Sequence, residues 1–173
     1  LVDPKSKNLL EYREKVKENL DKAYANRSDE AFNQNICDAM IETINPEFPP
    51  SMAESYLKHI IEDISKNNSE MDKDKAKEIY KPMAERNLKW YLIRSAIIQS
   101  QSFEISKEDI SNEIEDRKKI NPDHAKDIDN YFKKPSNRSR LSDDLMEKKI
   151  LAYLKEFAKI KEVKLATKDL RKQ

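Results

Sequence analysis

The chain of 173 residues contains no glycine, and this absence limits its possible folds more than any other feature. Average usage of about 7% would give roughly a dozen glycines in a chain of this length. Glycine supplies positive φ in tight hairpins and lets the main chain approach a bound phosphate closely. A Walker loop and a dinucleotide-binding fingerprint are both defined by glycines, so both are excluded. The composition instead favours long helices joined by Pro, Asn and Ser corners.

Composition also limits the size of the core and the classes of partner. Hydrophobic residues make up 37% of the chain and charged residues 39%, so the surface should be large relative to the core, as in an elongated helical protein. The net charge of +1 argues against a nucleic-acid footprint across the whole chain. Cys37 is the single cysteine, which excludes an intrachain disulfide. No apolar run approaches the roughly 20 residues of a membrane span.

Apolar residues at spacings of four predict one long first helix from Asn8 to Ile44. Each step of four turns the apolar stripe by about 40°, so the two ends of the helix should present opposite faces. Such a helix is expected to join two lobes. The stripe consists of Tyr12, Val16, Leu20, Tyr24, Phe32, Ile36, Met40 and Ile44.

A proline-rich corner follows this helix. Pro46, Pro49 and Pro50 should end the incoming helix, because proline lacks a backbone N–H and clashes with the preceding turn. Proline also suits the first position of a helix, and Ser51 with Glu54 has the spacing of a capping box. The corner therefore predicts a helix-to-helix elbow.

Capping residues and prolines divide the remainder into further helices. The segment from Trp90 to Ile98 is apolar on nearly all sides, so it is expected to be the buried centre of the molecule. Ser106 with Asp109 is a second capping signal. The second predicted helix ends near Asn67, and the third begins at Ser69–Asp72. The fourth runs from Lys107 to about Lys119, the fifth from Asn121 through Phe132, and the last from about Ser136 to Lys159.

Candidate metal and nucleophilic residues are few. His59, Glu62 and Asp63 share a helix face, but one imidazole and two carboxylates are too few for a convincing metal site, and a solvated face explains them better. Cys37 has apolar neighbours, so a small buried hydrophobe is the favoured interpretation.

The charged clusters have equally simple explanations. Glu113, Glu115 and Asp116 could supply paired carboxylates for acid–base catalysis, but nearby counter-charges favour an exposed helix face. Basic residues around Tyr131 and Phe132 could contact RNA phosphates, although interspersed aspartates weaken that interpretation. We therefore predict no catalytic residues, no metal, no cofactor and no specific nucleic acid.

Methionines and aromatic residues near helix ends are the better functional candidates. The flexible methionine thioether adapts to many partner shapes and is common on promiscuous binding surfaces. The alternative is that these side chains fill gaps in a thin core. The predicted client-binding residues are Phe48, Met52, Tyr56, Met83, Phe103, Tyr131, Phe132 and Met146.

The order of segments resembles a known family. A long helix is followed by "PPSMAESYLKHIIEDI", then by "AERNLKWYLIRSAIIQSQSFEISKEDISNEIEDR", and finally by "LMEKKILAYLKEFAKIKEV". Together they resemble the C-terminal domain of trigger factor, the bacterial ribosome-associated chaperone, over nearly the whole chain. The resemblance implies an all-α, elongated domain with two protruding helical arms that form a cradle for unfolded polypeptide. The arms would be the hairpin with its tip at Asn67–Asp74 and the helical pair around Lys119–Asn137.

The resemblance also sets expectations about domains and activity. The family's N-terminal ribosome-binding module and prolyl isomerase domain have no counterpart in this sequence, so we expect neither ribosome docking through the usual loop nor isomerase activity. Residues 8–160 should form the helical chaperone domain, preceded by a linker at 1–7 and followed by a charged tail at 161–173. The family implies a cytoplasmic protein.

The resulting hypothesis is an ATP-independent chaperone domain that binds unfolded or nascent polypeptides. One alternative is a helical adaptor that binds a single folded partner. Another is a periplasmic chaperone of similar helical design. The sequence leaves open whether the protein forms a homodimer.

Overall fold

The computed structural model describes residues 8–67 and 72–163, and these residues form helices and their connections without any strand. The predicted all-α class is therefore confirmed. The predicted linker at 1–7, the hairpin tip at 68–71 and the end of the tail at 164–173 lie outside the described residues. The helices are α1 (Leu9–Ile44), α2 (Pro50–Asn67), α3 (Lys73–Gln101), α4 (Lys107–Ile120), a 3-10 turn (Pro122–His124), α5 (Ala125–Phe132) and α6 (Pro135–Phe157).

The described residues divide into two compact units, with the boundary between Ser106 and Lys107. The first unit contains α1, α2 and α3, and the second contains α4, α5 and α6. A single domain over 8–160, with arms that form a cradle, stays a prediction.

Helix α1 confirms the prediction of one unbroken first helix. It has 36 residues and is therefore about 54 Å long. Asn8 caps its start, because Oδ1 accepts a hydrogen bond from the Glu11 amide at 2.9 Å. From Leu9 to Ala31 every side chain is exposed or half-buried, whereas Ile36 and Cys37 are buried. The burial of Cys37 agrees with its interpretation as a small core residue.

The proline elbow begins α2 two residues earlier than a cap at Ser51 would place it. Helix α2 starts at Pro50, and the Met52 amide donates to the Pro49 carbonyl at 2.9 Å. Ser51 therefore lies inside the helix and is not its cap. The reason is that the fixed φ of Pro50 already satisfies the first helical position.

Helix α3 packs against both α1 and α2. Asp72 caps its start through hydrogen bonds from the amides of Asp74 and Lys75 at 3.0 and 3.3 Å. The predicted burial of the Trp90–Ile98 segment is wrong, because only Ile93 within it is buried and Tyr91 is 53% exposed. The neighbouring helices cover only part of the circumference of α3. Apolar residues on its uncovered faces therefore remain in contact with solvent.

The second unit has a small core of its own. Ile114 of α4, Phe132 of α5 and Leu141 of α6 form a buried cluster, against which half-buried Ile110, Ile128 and Leu145 pack. The turn from α5 to α6 is closed by side chains that bond the end of α5. Arg138 Nε donates to the Phe132 carbonyl at 2.8 Å and Asn137 Nδ2 to the Tyr131 carbonyl at 2.6 Å.

Within the described part of the chain, none of the helices combines the length and apolar character that a membrane crossing requires.

Candidate functional site

The first unit has an aromatic groove between the start of α2 and the middle of α3. Its cavity volume is about 460 Å³. Met52, Tyr56 and His59 share one face of α2, since they follow one another at helical spacings of four and three. The full lining is Pro49, Ser51, Met52, Ser55, Tyr56, His59, Leu88 and Tyr91. None of these lining residues is Lys, Arg, Asp or Glu, so an apolar group that enters the groove displaces water without desolvating a carboxylate or an ammonium group.

A second groove, here called the charged groove, lies along another face of α2. It consists of two adjoining cavities of about 420 and 510 Å³, which share Glu54, Leu57 and Lys77. Its floor is apolar and its rim carries both signs of charge. The floor comprises Phe48, Pro50, Ala53, Leu57, Ile61 and Ala84, and the rim includes Glu54, Lys58, Glu62, Lys73, Lys77, Glu78, Lys81 and Glu85.

The two grooves lie on opposite sides of the contact between α2 and α3. At 100° per residue, Leu57 and Ile61 of the charged groove are roughly 140° and 180° from Met52 of the aromatic groove. Helix α3 contributes to both grooves, with Leu88 and Tyr91 on one side and Lys77 and Lys81 on the other. The α2–α3 hairpin therefore presents two chemically different surfaces.

The charges on the rim of the charged groove are partly neutralised by neighbours on the same helix. Lys77 Nζ lies 2.9 Å from Asp74 Oδ1, and this hydrogen bond lowers the pKa of Asp74 below its usual value. Lys58 Nζ lies 3.9 Å from Glu62 Oε1. Exposed pairs of this kind contribute little to stability, so they can rearrange when a ligand binds.

The predicted client-binding residues are distributed over several surfaces. Met52 and Tyr56 meet in the aromatic groove, and Phe48 lies in the charged groove. Met83 of α3 is exposed, whereas Phe103 is half-buried after the end of the same helix. In the second unit, Tyr131 is exposed and Met146 is half-buried.

Phe132 is the one predicted client-binding residue that the structure removes from the surface. It is 5% exposed and belongs to the core of the second unit. The guanidinium carbon of Arg117 lies 5.5 Å from its ring centroid, and Tyr131 packs edge-on at 5.0 Å. A client could contact Phe132 only by opening that core, so its assignment to the binding surface is wrong.

The residues weighed as metal ligands and acid–base groups make local polar contacts. His59 Nδ1 lies 3.8 Å from Glu62 Oε2, and no group of three or more His, Cys, Asp or Glu in the described ranges is arranged to hold a metal. On α4, Glu113 pairs with Arg117 at 3.1 Å, and Lys148 of α6 lies 3.7 Å from the same oxygen. These contacts agree with the interpretation of α4 as a charged helix face.

Leu88 and Tyr91 line the aromatic groove but are absent from the residues that the sequence predicted. Both lie within or next to the apolar stretch that was assigned to the core. Their spacing from Met52 and Tyr56 in the chain exceeds 30 residues, so a local pattern does not bring them together. A signal was present in Tyr91 itself, because tyrosine often lies at a boundary with its apolar body packed and its hydroxyl in water.

The fold and the grooves define the class: within the described residues this is an all-helical protein whose first unit carries two grooves lined by apolar side chains. The chain belongs to the family described as bacterial trigger factor protein (TF) C-terminus, whose sequence profile matches residues 8–156. This match extends across both compact units.

Individual relatives give the same assignment. Trigger factor of Dehalococcoides mccartyi (strain ATCC BAA-2266 / KCTC 15142 / 195) is 23% identical over 171 residues, which cover 91% of this chain and 38% of the relative. Trigger factor of Moorella thermoacetica is 27% identical over 165 residues, which cover 87% of this chain and 36% of the relative. Trigger factor of Bartonella bacilliformis is 24% identical over 179 residues, which cover 96% of this chain and 37% of the relative. The chain thus spans less than two fifths of the length of these curated relatives. No solved structure matches it.

Proposed function

We propose that this chain is an ATP-independent chaperone domain that binds apolar segments of unfolded or nascent polypeptides and assists their folding in the cytoplasm. The observation that carries the proposal is the aromatic groove, where Met52, Tyr56 and Tyr91 remain accessible beside the hairpin. Monomeric proteins seldom leave such side chains together without a binding role.

The chemistry of the groove suits ligands that share apolar character and little else. Burial of apolar area contributes about 25 cal/mol per Å² and has no directional requirement. The methionine side chain can adjust to different shapes, whereas a specific partner would need fixed polar contacts. An unfolded client gives up conformational freedom on binding, so the affinity for each segment should be modest.

Suppression of aggregation tests the proposal. The chain in molar excess should reduce light scattering when a denatured protein is diluted into buffer. The double variant Tyr56→Glu with Tyr91→Glu should lose most of this effect, since each carboxylate would have to be desolvated when a client enters the groove. Both tyrosines are exposed, so the variant should fold, which circular dichroism checks.

Tyr24→Glu provides the matched control. Tyr24 and Tyr56 are both 38% exposed, but Tyr24 lies on α1 away from the groove. The proposal fails if wild-type protein leaves aggregation unchanged, or if Tyr24→Glu and the groove variant behave alike. Saturable binding of one folded partner at fixed stoichiometry, without binding to denatured chains, would instead indicate the adaptor function.

A further inference from the structure

Pro82 interrupts the hydrogen-bond ladder in the middle of α3. The helix runs from Lys73 to Gln101 with this proline inside it. Proline has no N–H to donate to the carbonyl four residues earlier, which here belongs to Glu78, and its ring crowds that carbonyl. Interior prolines are the usual cause of sharp helix bends. The helix thus has two segments, 73–81 and 83–101, joined at a weak point.

The segment after Pro82 is fastened to α1. Arg86 Nε donates to Asp38 Oδ1 at 2.7 Å, and Lys89 Nζ donates to Asn45 Oδ1 at 2.7 Å. Farther along, Ile44 at the end of α1 shares an apolar cavity with Leu92 and Ile97 of α3. All of these links reach α3 on the C-terminal side of Pro82.

The charged groove is lined from both sides of the proline. Lys77, Glu78 and Lys81 precede it, whereas Ala84 and Glu85 follow it. A bend at Pro82 would therefore move part of one wall relative to the rest. Ala76 and Ala84 are buried at 3% and 1% exposure, one on each side of the proline, so both segments stay packed and the motion is a small bend.

We propose that Pro82 is the hinge of the charged groove, at which the 73–81 segment bends relative to the anchored 83–101 segment and changes the width of the groove. The second part of the proposal rests on the proposed function and extends client binding to the apolar floor of the charged groove. There the hinge determines the range of client side chains that the charged groove accepts. A rigid wall would fit one size of side chain, whereas a wall that bends at low cost samples several widths, from which each client selects.

Distance measurements across the groove test the hinge without any client. Nitroxide labels at Lys58→Cys and Lys77→Cys, in a Cys37→Ala background, report the distance between α2 and the 73–81 segment. Pro82→Ala should narrow this distance distribution, because it restores the missing donor. Labels at Met52→Cys and Tyr91→Cys, which report on the anchored segment, should give the same distribution with either residue at position 82.

Hydrogen exchange gives an independent readout. Amide exchange around residues 78–86 should slow by about tenfold in Pro82→Ala, as expected for one added helical hydrogen bond. Asn87→Ala is the matched control, since it improves helix propensity in the same helix without adding a backbone donor. The hinge is disproved if Pro82→Ala and Asn87→Ala give the same distance distribution between the labels at positions 58 and 77 and the same amide exchange rates.

The consequence for clients is measured separately. Peptides that differ only in a central Leu, Ile or Met bury similar apolar areas in different shapes, so they should bind wild type with similar affinities, whereas Pro82→Ala should separate them by several-fold. Equal selectivity in both proteins, with a confirmed hinge, would overturn the role in client range. If none of the peptides binds either protein, the proposed function fails while the distance measurements still decide the hinge.

Discussion

Arg86 of α3 donates from Nε to Oδ1 of Asp38 in α1 at 2.7 Å, and its Nη2 lies 2.7 Å from the same oxygen. The two residues are 48 positions apart in sequence. The guanidinium group thus uses a single carboxylate oxygen to join the long first helix to the helix that carries the two grooves. Lys89 and Asn45 form a second polar link between the same helices.

We expect the Asp38–Arg86 pair to make a small but measurable contribution to stability. The side chains are 49% and 42% exposed, so solvent screens the pair and its coupling free energy should be about 0.2–1 kcal/mol. Asp38→Ala, Arg86→Ala and the double variant form a thermodynamic cycle, measured by urea unfolding. A coupling free energy of zero would contradict the assigned link.

Ser102→Gly should stabilise the protein. Ser102 ends α3 in the left-handed region, with φ of 52° and ψ of 43°. This conformation costs a residue with a Cβ about 1–2 kcal/mol, part of which glycine loses again through the entropy of its unfolded chain, so a net gain of roughly 0.5 kcal/mol is expected. Ser100→Gly, two residues earlier inside the helix, should instead destabilise. Unfolding free energies that change in the same direction would refute this explanation.

Phe132 and Tyr131 should respond very differently to truncation. Phe132→Ala removes a ring from the core of the second unit and should cost about 3–5 kcal/mol. Tyr131 is 51% exposed, so Tyr131→Ala should cost less than about 1 kcal/mol. Thermal or urea unfolding measures both. If both variants lose a similar amount of unfolding free energy, Phe132 is not the core residue of this pair.

Alkaline pH should weaken a link between α4 and α5. Lys118 Nζ lies 2.7 Å from Glu115 and 3.1 Å from Asp129, and hydrogen bonds to these carboxylates raise the pKa of Lys118 above its ordinary value of 10.5. Because the folded pKa is the higher one, the stabilisation is fully present below the unfolded pKa of the lysine. It is lost as the pH rises through the raised folded pKa.

The difference in unfolding free energy between wild type and Lys118→Met should therefore be constant near neutral pH and shrink above about pH 10.5. Lys119→Met is the comparison, because Lys119 pairs at 2.7 Å with Asp116 on its own helix. It should have the smaller effect on unfolding free energy at neutral pH. An unchanged Lys118→Met difference across the alkaline range would rule out the lysine charge as its origin.

Helix boundaries were predictable because they depend on nearby residues. Asn8 and the elbow prolines act within about one turn of the helix they start or end, and α4 begins at Lys107, directly after Ser106. The predictions that failed locally did so by a few residues, as at Ser51, where Pro50 takes the first helical position. Met52 and Tyr56 are four residues apart and therefore share one face of α2, which lines the aromatic groove.

Burial and the composition of the grooves were decided by tertiary structure. Caps, prolines and periodicity are local properties, so they were enough to predict the helices of the described residues, the corners between them and their apolar stripes. Only the packing of α3 against α1 and α2 left Tyr91 at the surface, and only the meeting of α4, α5 and α6 buried Phe132. The physical reason is that solvent exposure depends on which helix covers a given face, and that contact joins residues far apart in the chain.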